Sequence, residues 1–384
     1  MDMNFSLKTF IVSAFAVLLS ITSFASVDAH ASSEEANVVE AEHHEKFDAG
    51  KFIMEHVQDA HEYHLWGGHH DGVSIYLPII LFDGGMKIFS SFNFYHGETK
   101  YDTHSDGGEP KSYMVGSGPA EGYGLFKEKI YKLNGDGELH FDGANVTNAK
   151  PFDVSITRNV VAVFLSFVVV FLMMWGAAKH YVKNGPVAPK GLSKFVEPFV
   201  VFVRDEIAKD NIGEKKYKKY VPYLLTLFFF IWISNMLGSI PILGSNLTGN
   251  ISITLFLAIC TLLLTVFSAN KNYWGHVFWM PGVPVAMKFF MMPIELIGIL
   301  TKPFALMIRL FANITAGHFV LMSLIALMIV LKASFGPVAS TGMSLLLSTF
   351  IMVIEILVAF LQAFIFTMLS SLFIGMAVVE HDHH

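Results

Sequence analysis

Long apolar runs separated by short polar stretches dominate the chain after residue 158. Five of these runs are long enough to cross a bilayer, which takes about 20 residues of helix. They are Val160–Ala178, Tyr220–Leu243, Ile251–Ala269, Phe289–Leu331 and Ser344–Val379. The last two are too long for a simple crossing, and Phe335-Gly336-Pro337 forms a turn signal between them. The pattern therefore predicts an all-α polytopic membrane protein whose last two helices form a long, tilted hairpin.

The pattern before residue 158 is different. Lys8 precedes an apolar run from Phe10 to Ala25 and two small-x-small cleavage candidates, which predicts a secretory signal peptide; an uncleaved first helix is the alternative. Further on, short apolar stretches alternate with Gly and Asp, which predicts a small β-rich periplasmic domain. The predicted domains are 1–31 for the signal peptide, 32–157 for the periplasmic extension domain and 158–384 for the membrane domain.

Three apolar stretches of the periplasmic domain have the composition of short strands: Val73–Leu81, Lys87–Tyr95 and Gly124–Leu133. Residues 34–64 are rich in Glu, Asp and His, which is typical of a solvated helix or a tail. A metal site is conceivable because ten of the 17 histidines lie in this domain. However, these histidines are scattered and have no thiol or HExxH motif beside them. Surface histidines are therefore expected, and no metal ligand and no cofactor is predicted.

Composition supports a membrane protein, and charge predicts its orientation. Hydrophobic residues make up 53% of the chain and charged residues 15%, against about 25% charged residues in soluble domains. Residues 179–219 contain ten Lys and Arg, which the positive-inside rule places in the cytoplasm. The N-terminal domain is then periplasmic and the C-terminus cytoplasmic, in a cell inner membrane. Within this basic loop, Phe195, Phe199, Phe202 and Val203 recur at helical spacing and predict an amphipathic helix at the membrane surface.

Ionisable and amide side chains interrupt the last two apolar runs at regular intervals. Glu295, Lys302 and Arg309 are seven residues apart, so two helical turns place them on one stripe. Asn313 continues that stripe, and His318 lies further along the same helix. A guanidinium costs at least ~2.5–3.5 kcal/mol at the bilayer centre, and such a residue faces a water-filled cavity or a carboxylate. The stripe therefore predicts a functional site inside the membrane.

The final helix carries a similar stripe, because Ser348, Glu355 and Gln362 also repeat every seven residues. Carboxylates and imidazoles at membrane depth are the parts of a proton relay, and histidine accepts and donates a proton near neutral pH. Hydrogen bonding that only holds the hairpin together is the alternative for Gln362 and Asn313. Small residues on both helices predict a close approach of the pair: Ala312, Ala316, Gly317, Ala359 and Ala363.

Two sequence signatures surround these residues. The segment Met307-Ile-Arg309-Leu-Phe-Ala-Asn313-Ile-Thr-Ala-Gly317-His318 resembles the arginine signature of subunit a of the F-type ATP synthase. Leu361-Gln362-Ala-Phe-Ile-Phe-Thr-Met-Leu resembles the last-helix signature of that family. Four further segments match the family in order and spacing, and they begin at Phe202, Tyr223, Asn235 and Thr248. The resemblance covers about residues 158–380, and residues 32–157 resemble an extension seen in some Bacteroidetes-type members.

The resemblance implies a role for each residue of the two stripes. Arg309 is similar to the essential arginine that faces the carboxylate of the rotating c-ring, and Gln362 is similar to its neighbour on the last helix. Glu295 stands where the family places a carboxylate of the cytoplasmic half-channel. His318 and Glu355 occupy two positions at which some bacterial members have Glu and His in the opposite order, so an acid–imidazole pair is expected.

The remaining implications concern function and partners. Lys302 and Asn313 match common family residues to which the resemblance assigns no single role. The implied protein is a proton-translocating stator subunit with two half-channels. Its implied partners are the c-ring, the subunit b stator stalk, the remaining ATP synthase subunits and the lipid bilayer, and no nucleic acid is expected to bind. The chain has no G-x-x-x-x-G-K-[ST] phosphate loop, so it is predicted to be non-catalytic, with ATP synthesis on its partners.

Two other classes of protein are alternatives. A self-contained ion-coupled secondary transporter usually carries internal repeats and discontinuous midplane helices, and no repeat relates the halves of this chain. A membrane-anchored periplasmic binding module would place the function in residues 32–157 and would leave Arg309 unexplained. Co-purification separates the three, because the stator subunit requires a c-ring, the transporter works alone and the binding module takes an external ligand.

Overall fold

A computed structural model describes residues 59–66, 73–102, 111–142, 145–185, 187–239, 247–280, 282 and 284–378. The predicted signal peptide and most of the acidic segment 34–64 lie outside these ranges. The chain divides into two compact units. The first includes the N-terminal strands, the residues up to Val161 and residues 323–345, and the second includes the other parts of the membrane helices.

The N-terminal unit consists of short antiparallel strands. They are β1 Glu62–Trp66, β2 Val73–Tyr76, β3 Pro78–Phe82, β4 Met86–Ser90, β5 Glu98–Asp102, β6 Lys111–Val115, β7 Tyr123–Phe126, β8 Lys129–Lys132, β9 Phe141–Asp142, β10 Asn145–Val146 and β11 Phe152–Asp153. The two larger sheets have the strand orders β5-β6-β7-β8 and β11-β3-β4, while β1 pairs with β2 and β9 with β10. The β-rich fold predicted for this region is confirmed.

Side chains of the sheet β11-β3-β4 alternate between two faces, as strand geometry requires. In β3, Ile79 and Leu81 are fully buried, whereas Pro78 and Phe82 are exposed. The core on the buried side is a cluster from several strands and turns, comprising Ile79, Leu81, Phe89, Phe94, Ala120, Tyr123, Leu125 and Ile130. This core is contained within the N-terminal unit.

One predicted strand is wrong in its second half. Phe92–Tyr95 forms the short helix α1, which buries Phe94. The buried Ser91 hydroxyl accepts a hydrogen bond from Leu77 N at 3.1 Å and donates one to His61 O at 2.8 Å. These bonds fix the end of β4 and turn the chain away from the sheet, so the aromatic run cannot continue as a strand.

His61 contradicts the expectation that the histidines of this region lie on the surface. Its side chain is only 2% exposed, and Nδ1 lies 3.4 Å from Glu128 Oε2, which also accepts a hydrogen bond from the Tyr95 hydroxyl at 3.0 Å. The residues that follow, Glu62–Trp66, pair with β2 instead of forming a solvated helix. No group of three or more potential metal ligands occurs in the part of the chain that the structure describes.

The described residues from Arg158 onward are mostly helical. The helices are α2 Arg158–Asn184, α3 Leu192–Phe202, α4 Asp210–Ile212, α5 Tyr217–Gly238, α6 Ile251–Ser268, α7 Lys271–Phe278, α8 Val285–Phe335 and α9 Pro337–Val378. A π-helical segment, Val203–Lys209, joins α3 to α4. Among the described residues, five helices are long and apolar enough to cross a membrane, namely α2, α5, α6, α8 and α9, so the five predicted spans are confirmed as apolar helices. Gly336 alone separates α8 from α9, and its φ of +78° is a conformation that glycine adopts readily.

The second unit is built around apolar side chains from α3, α5, α8, α9 and the π-helical segment. The ring centre of Phe199 lies 4.7 Å from that of Trp232 in α5 and 6.1 Å from that of Phe360 in α9. The amphipathic segment predicted in the basic loop is therefore helical, and its aromatic side packs against two membrane helices. Its position at the membrane surface stays a prediction.

The C-terminal end of α9 is fixed by polar contacts. Lys216 Nζ and Asn270 Nδ2 donate hydrogen bonds to Val378 O at 3.0 and 2.7 Å, and Asn270 N donates to Ala377 O at 2.9 Å. These donors satisfy carbonyl groups that have no partner at the end of a helix. The contacts place the end of α9 beside the basic loop and beside the start of α7.

Candidate functional site

Helix α8 presents two different faces around Arg309. The buried face is a row at four-residue spacing, Leu306, Leu310, Ile314 and His318. Arg309 and Asn313 are exposed on the other side of the helix. His318 is nine residues, or about two and a half turns, beyond Arg309, so the imidazole and the guanidinium leave the helix in opposite directions.

Arg309 lies in the middle of an apolar membrane helix, and its guanidinium forms no hydrogen bond or salt bridge with any residue that the structure describes. Ala312 and Ala316 are exposed beside it. The prediction that these two alanines lie between α8 and α9 is therefore wrong, whereas Ala359 and Ala363 of α9 are buried as predicted. The guanidinium is therefore exposed on a face of α8 whose neighbouring side chains are small.

Glu295, Lys302 and Gln362 are less exposed than Arg309. Lys302 is half-buried, and its Nζ lies 5.9 Å from the ring centre of Phe373 in α9. Glu295 is also half-buried, about 21 Å from Arg309 along the axis of α8 at ~1.5 Å per residue. Gln362 is buried on α9. The predicted stripe on α8 thus changes from half-buried at Glu295 to exposed at Arg309.

His318 and Glu355 line one small cavity in the second unit. The remaining lining comes from the end of α5, the segment before α6, and one residue each of α8 and α9: Ser234, Asn235, Gly238, Ser239, Leu247, Thr248, Ile314 and Ala359. The space open to the centre of a water molecule is about 10 Å³, close to the minimum that one water requires. The structure therefore brings the predicted acid and imidazole to the same polar cavity.

Several polar atoms of the cavity lining have no hydrogen-bond partner among the described residues. They are Ser234 Oγ, Asn235 Nδ2 and Glu355 Oε2, and all three are buried. A buried polar group without a partner costs about 1–3 kcal/mol, and such groups in native proteins call for an explanation other than stability. A cavity that holds one water molecule gives such an explanation, because the water can hydrogen-bond to these atoms.

Comparison with known proteins shows which family the membrane part is related to. A family model described as ATP synthase A chain matches residues 160–375. ATP synthase subunit a of Chloroherpeton thalassium is 45% identical over 238 residues, which cover 60% of this chain and 69% of the relative. The chain belongs to the ATP synthase subunit a family. A further subunit a, from Pelodictyon phaeoclathratiforme, is 42% identical over 265 residues, 67% of this chain and 75% of the relative.

The N-terminal region matches a separate family model, which is described as a domain of unknown function (DUF8433) and covers residues 52–154. The subunit a match begins only at residue 160, two residues into α2. The β-rich unit is therefore similar to a family of its own, and its match carries no function.

Sequence reasoning gives no role to two of the cavity residues. Asn235 and Thr248 stand out in the sequence only as the first residues of segments that resemble the subunit a family. In the structure the Thr248 hydroxyl donates a hydrogen bond to Asn235 Oδ1, and both residues are buried. The signal that could single out Asn235 is an amide within the apolar run of α5, but nothing in the sequence shows that α5 and the segment before α6 meet α8 and α9 at this point.

Charges outside the membrane helices are largely paired or exposed. Arg204 Nε and Nη2 donate to the two carboxylate oxygens of Asp205 at 2.8 and 2.7 Å, and these hydrogen bonds lower the pKa of Asp205. Lys209 Nζ lies 2.9 Å from Glu214 Oε1. The exposed Lys215 is among the cations that remain on the surface of the basic loop.

Proposed function

We propose that this chain is the proton-translocating stator subunit of an F-type ATP synthase and provides two half-channels to a rotating c-ring. The observation that carries the proposal is Arg309, a fixed positive charge on a face of small residues at membrane depth. A cation at that depth costs at least ~2.5–3.5 kcal/mol unless it is compensated. An ionised carboxylate on a neighbouring ring would compensate it, because the guanidinium stays protonated at any accessible pH.

The cavity of His318 and Glu355 is assigned to the periplasmic half-channel. An imidazole accepts and donates a proton near neutral pH, and a carboxylate beside it takes the proton in turn. Asn235 and Thr248 position the path, since their mutual hydrogen bond fixes the amide while Nδ2 keeps its donor capacity. A proton that enters here neutralises a ring carboxylate, and the uncharged carboxyl group then moves into lipid.

Glu295 is assigned to the cytoplasmic half-channel. The basic loop, the end of α9 and the start of α7 meet through Lys216 and Asn270, which supports a common side for them. The positive-inside rule makes that side cytoplasmic. Because α8 follows α7 in the chain, Glu295, ten residues into α8, lies on the cytoplasmic side of Arg309. A ring carboxylate that arrives there loses its proton.

Arg309 separates the two paths. It attracts the ionised ring carboxylate after the proton has left, and its charge prevents a proton from passing directly between the half-channels. Gln362 on α9 and Asn313 on α8 supply neutral polar groups to the two helices that carry the path, while Lys302 adds a second cation on the cytoplasmic side. Rotation in one direction follows, because the carboxylate is protonated on one side of Arg309 and deprotonated on the other.

The wider assignments follow from this role. The chain is non-catalytic, and it works with the c-ring, the subunit b stalk and the other ATP synthase subunits. It lies in the inner membrane with the N-terminal domain periplasmic and the C-terminus cytoplasmic. The proposed domains are a signal peptide at 1–31, the periplasmic extension at 32–157 and the membrane domain at 158–384. This division is supported by the separate family matches on either side of residue 158.

Purification of the complex tests the proposal. A tagged full chain should co-purify with a c-ring, and vesicles that contain the complex should acidify when ATP is added, both with and without sodium. A chain that transports ions in vesicles without any ring would contradict the stator role. Pumping that requires sodium would keep the stator role and overturn the proton as the coupling ion.

A further inference from the structure

One face of the sheet β11-β3-β4 is apolar and exposed. Phe152 lies opposite Phe82, Phe82 opposite Met86, and Ile80 opposite Ile88 across the strands. The exposed fractions are 71% for Phe152, 62% for Met86, 58% for Ile88 and 45% for Phe82. The other face of the same strands already covers the core of the N-terminal unit, so this is a second apolar surface and not an open part of the core.

The same face continues to the first turn of the membrane helix α2. Val154 N donates to Ile80 O at 3.0 Å, and Ile156 N donates to Pro78 O at 3.1 Å. The hydrogen bonding to β3 therefore extends as far as Ile156, and Arg158, the first residue of α2, follows two residues later. Val154, which is 49% exposed, extends the exposed row toward the helix.

The first turn of α2 forms hydrogen bonds with the residues just before and within β1. Arg158 N donates to Ala60 O at 3.0 Å, and the Tyr63 hydroxyl donates to Arg158 O at 2.9 Å. Asp59 Oδ1 accepts a hydrogen bond from Asn159 N at 3.0 Å. The hydrogen-bonded extended segment on one side and these three bonds on the other place the first turn of α2 in the same folded unit as the sheet.

We propose that this apolar sheet face, defined by Phe82, Met86, Ile88, Phe152 and Val154, rests on the bilayer surface at the side where α2 begins. Val154 is four residues from Arg158, so at most about 14 Å of extended chain separates it from the membrane helix. The headgroup region adds roughly 5–7 Å to the hydrocarbon core on each side. Apolar side chains of surface-bound elements enter this region to a depth of ~5–10 Å.

Lipid fits this face better than a protein partner because the face is continuous with a membrane helix. Exposed apolar patches mark either protein or membrane contacts. Here Phe152, Val154 and Ile156 lie on one extended segment, and that segment leads to a helix that is long and apolar enough to cross a membrane. Because the first turn of α2 belongs to the same unit as the sheet, this end of the sheet lies close to the start of the helix.

Spin labels in the full chain test the proposal. Cys260 is replaced by Ala, and single cysteines are introduced as Phe152→Cys and Ile88→Cys on the face. Glu121→Cys and Glu138→Cys serve as matched controls, because they are exposed positions outside the strands of the same domain. The chain is labelled with a nitroxide and reconstituted into vesicles of phosphatidylethanolamine and phosphatidylglycerol. Collision rates are measured with oxygen, which concentrates in lipid, and with a nickel chelate present on both sides, which stays in water.

The expected result is a shift of the collision ratio toward oxygen at positions 152 and 88 and toward the nickel chelate at positions 121 and 138. Preference for the chelate at all four positions would overturn the proposal, since the face would then be open to water and available to a protein subunit. Low collision rates with both reagents at 152 and 88 would also overturn it, because another segment of the chain would then cover the face. All four side chains are exposed, so none of the changes removes a core contact.

Discussion

Replacing Gly375 with alanine should separate α9 from the segment that packs on it. The new Cβ would lie 2.1 Å from Asn211 O, whereas ordinary van der Waals contact begins at 3.4 Å. The two backbones must therefore move apart by about 1.3 Å, the difference between these distances. The Ser371 hydroxyl, which donates to Ile207 O at 2.9 Å in the same contact, would then lose its hydrogen bond.

The size of the destabilisation follows from these two effects. Overpacking costs about 1–3 kcal/mol and one hydrogen bond contributes about 1 kcal/mol. The Gly375→Ala change should thus lower the free energy of unfolding by about 2–4 kcal/mol, as the sum of both effects. The measurement is thermal unfolding of the purified chain in detergent, together with ATP-driven proton pumping by the assembled complex. Pumping should also fall, because α9 carries Glu355 and Gln362.

Gly298→Ala is the matched control, since a Cβ at that position of α8 would meet nothing within 4 Å. Helix propensity alone then applies, and it favours alanine over glycine by about 1 kcal/mol. The control should therefore be as stable as the parent or more stable. A Gly375→Ala chain that unfolds at the same temperature as the parent would refute the close contact between α9 and residue 211.

Three further predictions concern the half-channels. His318→Ala and Glu355→Ala should each slow proton uptake. The loss of rate in the double variant should be smaller than the sum of the two single losses, as expected for coupled residues. Additive losses of rate would show that the two residues lie in separate environments. In a cysteine-free background, a membrane-impermeant thiol reagent should label His318→Cys only from the periplasm and Glu295→Cys only from the cytoplasm; labelling of both from one side would contradict the two-channel arrangement. Thr248→Val should slow proton uptake without loss of assembly, because Asn235 Oδ1 loses its donor at a cost of about 1–3 kcal/mol; an unchanged rate would show that this hydrogen bond is not part of the path.

The membrane helices could be predicted from the length of the apolar runs, and the stripe on α8 could be predicted from the periodicity of a single helix. Seven-residue spacing is enough to place Glu295, Lys302 and Arg309 on one side of α8. The same periodicity does not say which side of a helix meets its neighbour. The small side chains of Ala312 and Ala316 therefore suggest a contact between the two helices, although both residues lie on the exposed side with Arg309.

Contacts between segments far apart in the chain could not be predicted. The cavity joins α5, the segment before α6, α8 and α9, and the hydrogen bond between Thr248 and Asn235 depends on how these elements pack. The burial of His61 has the same origin, because it results from Glu128 and Tyr95 closing over it from other parts of the N-terminal unit. Composition suggests a surface residue, and tertiary contacts decide otherwise.

The central claim is that the charge of Arg309 holds the ring carboxylate and keeps the half-channels apart. Its most direct test is ATP-driven acidification of vesicles that contain the complex with Arg309→Lys, after assembly with the c-ring has been verified. Lysine loses its proton more readily when it is buried and lacks the planar fork of a guanidinium. The account predicts an assembled complex without net proton pumping, and pumping at the parental rate would contradict it.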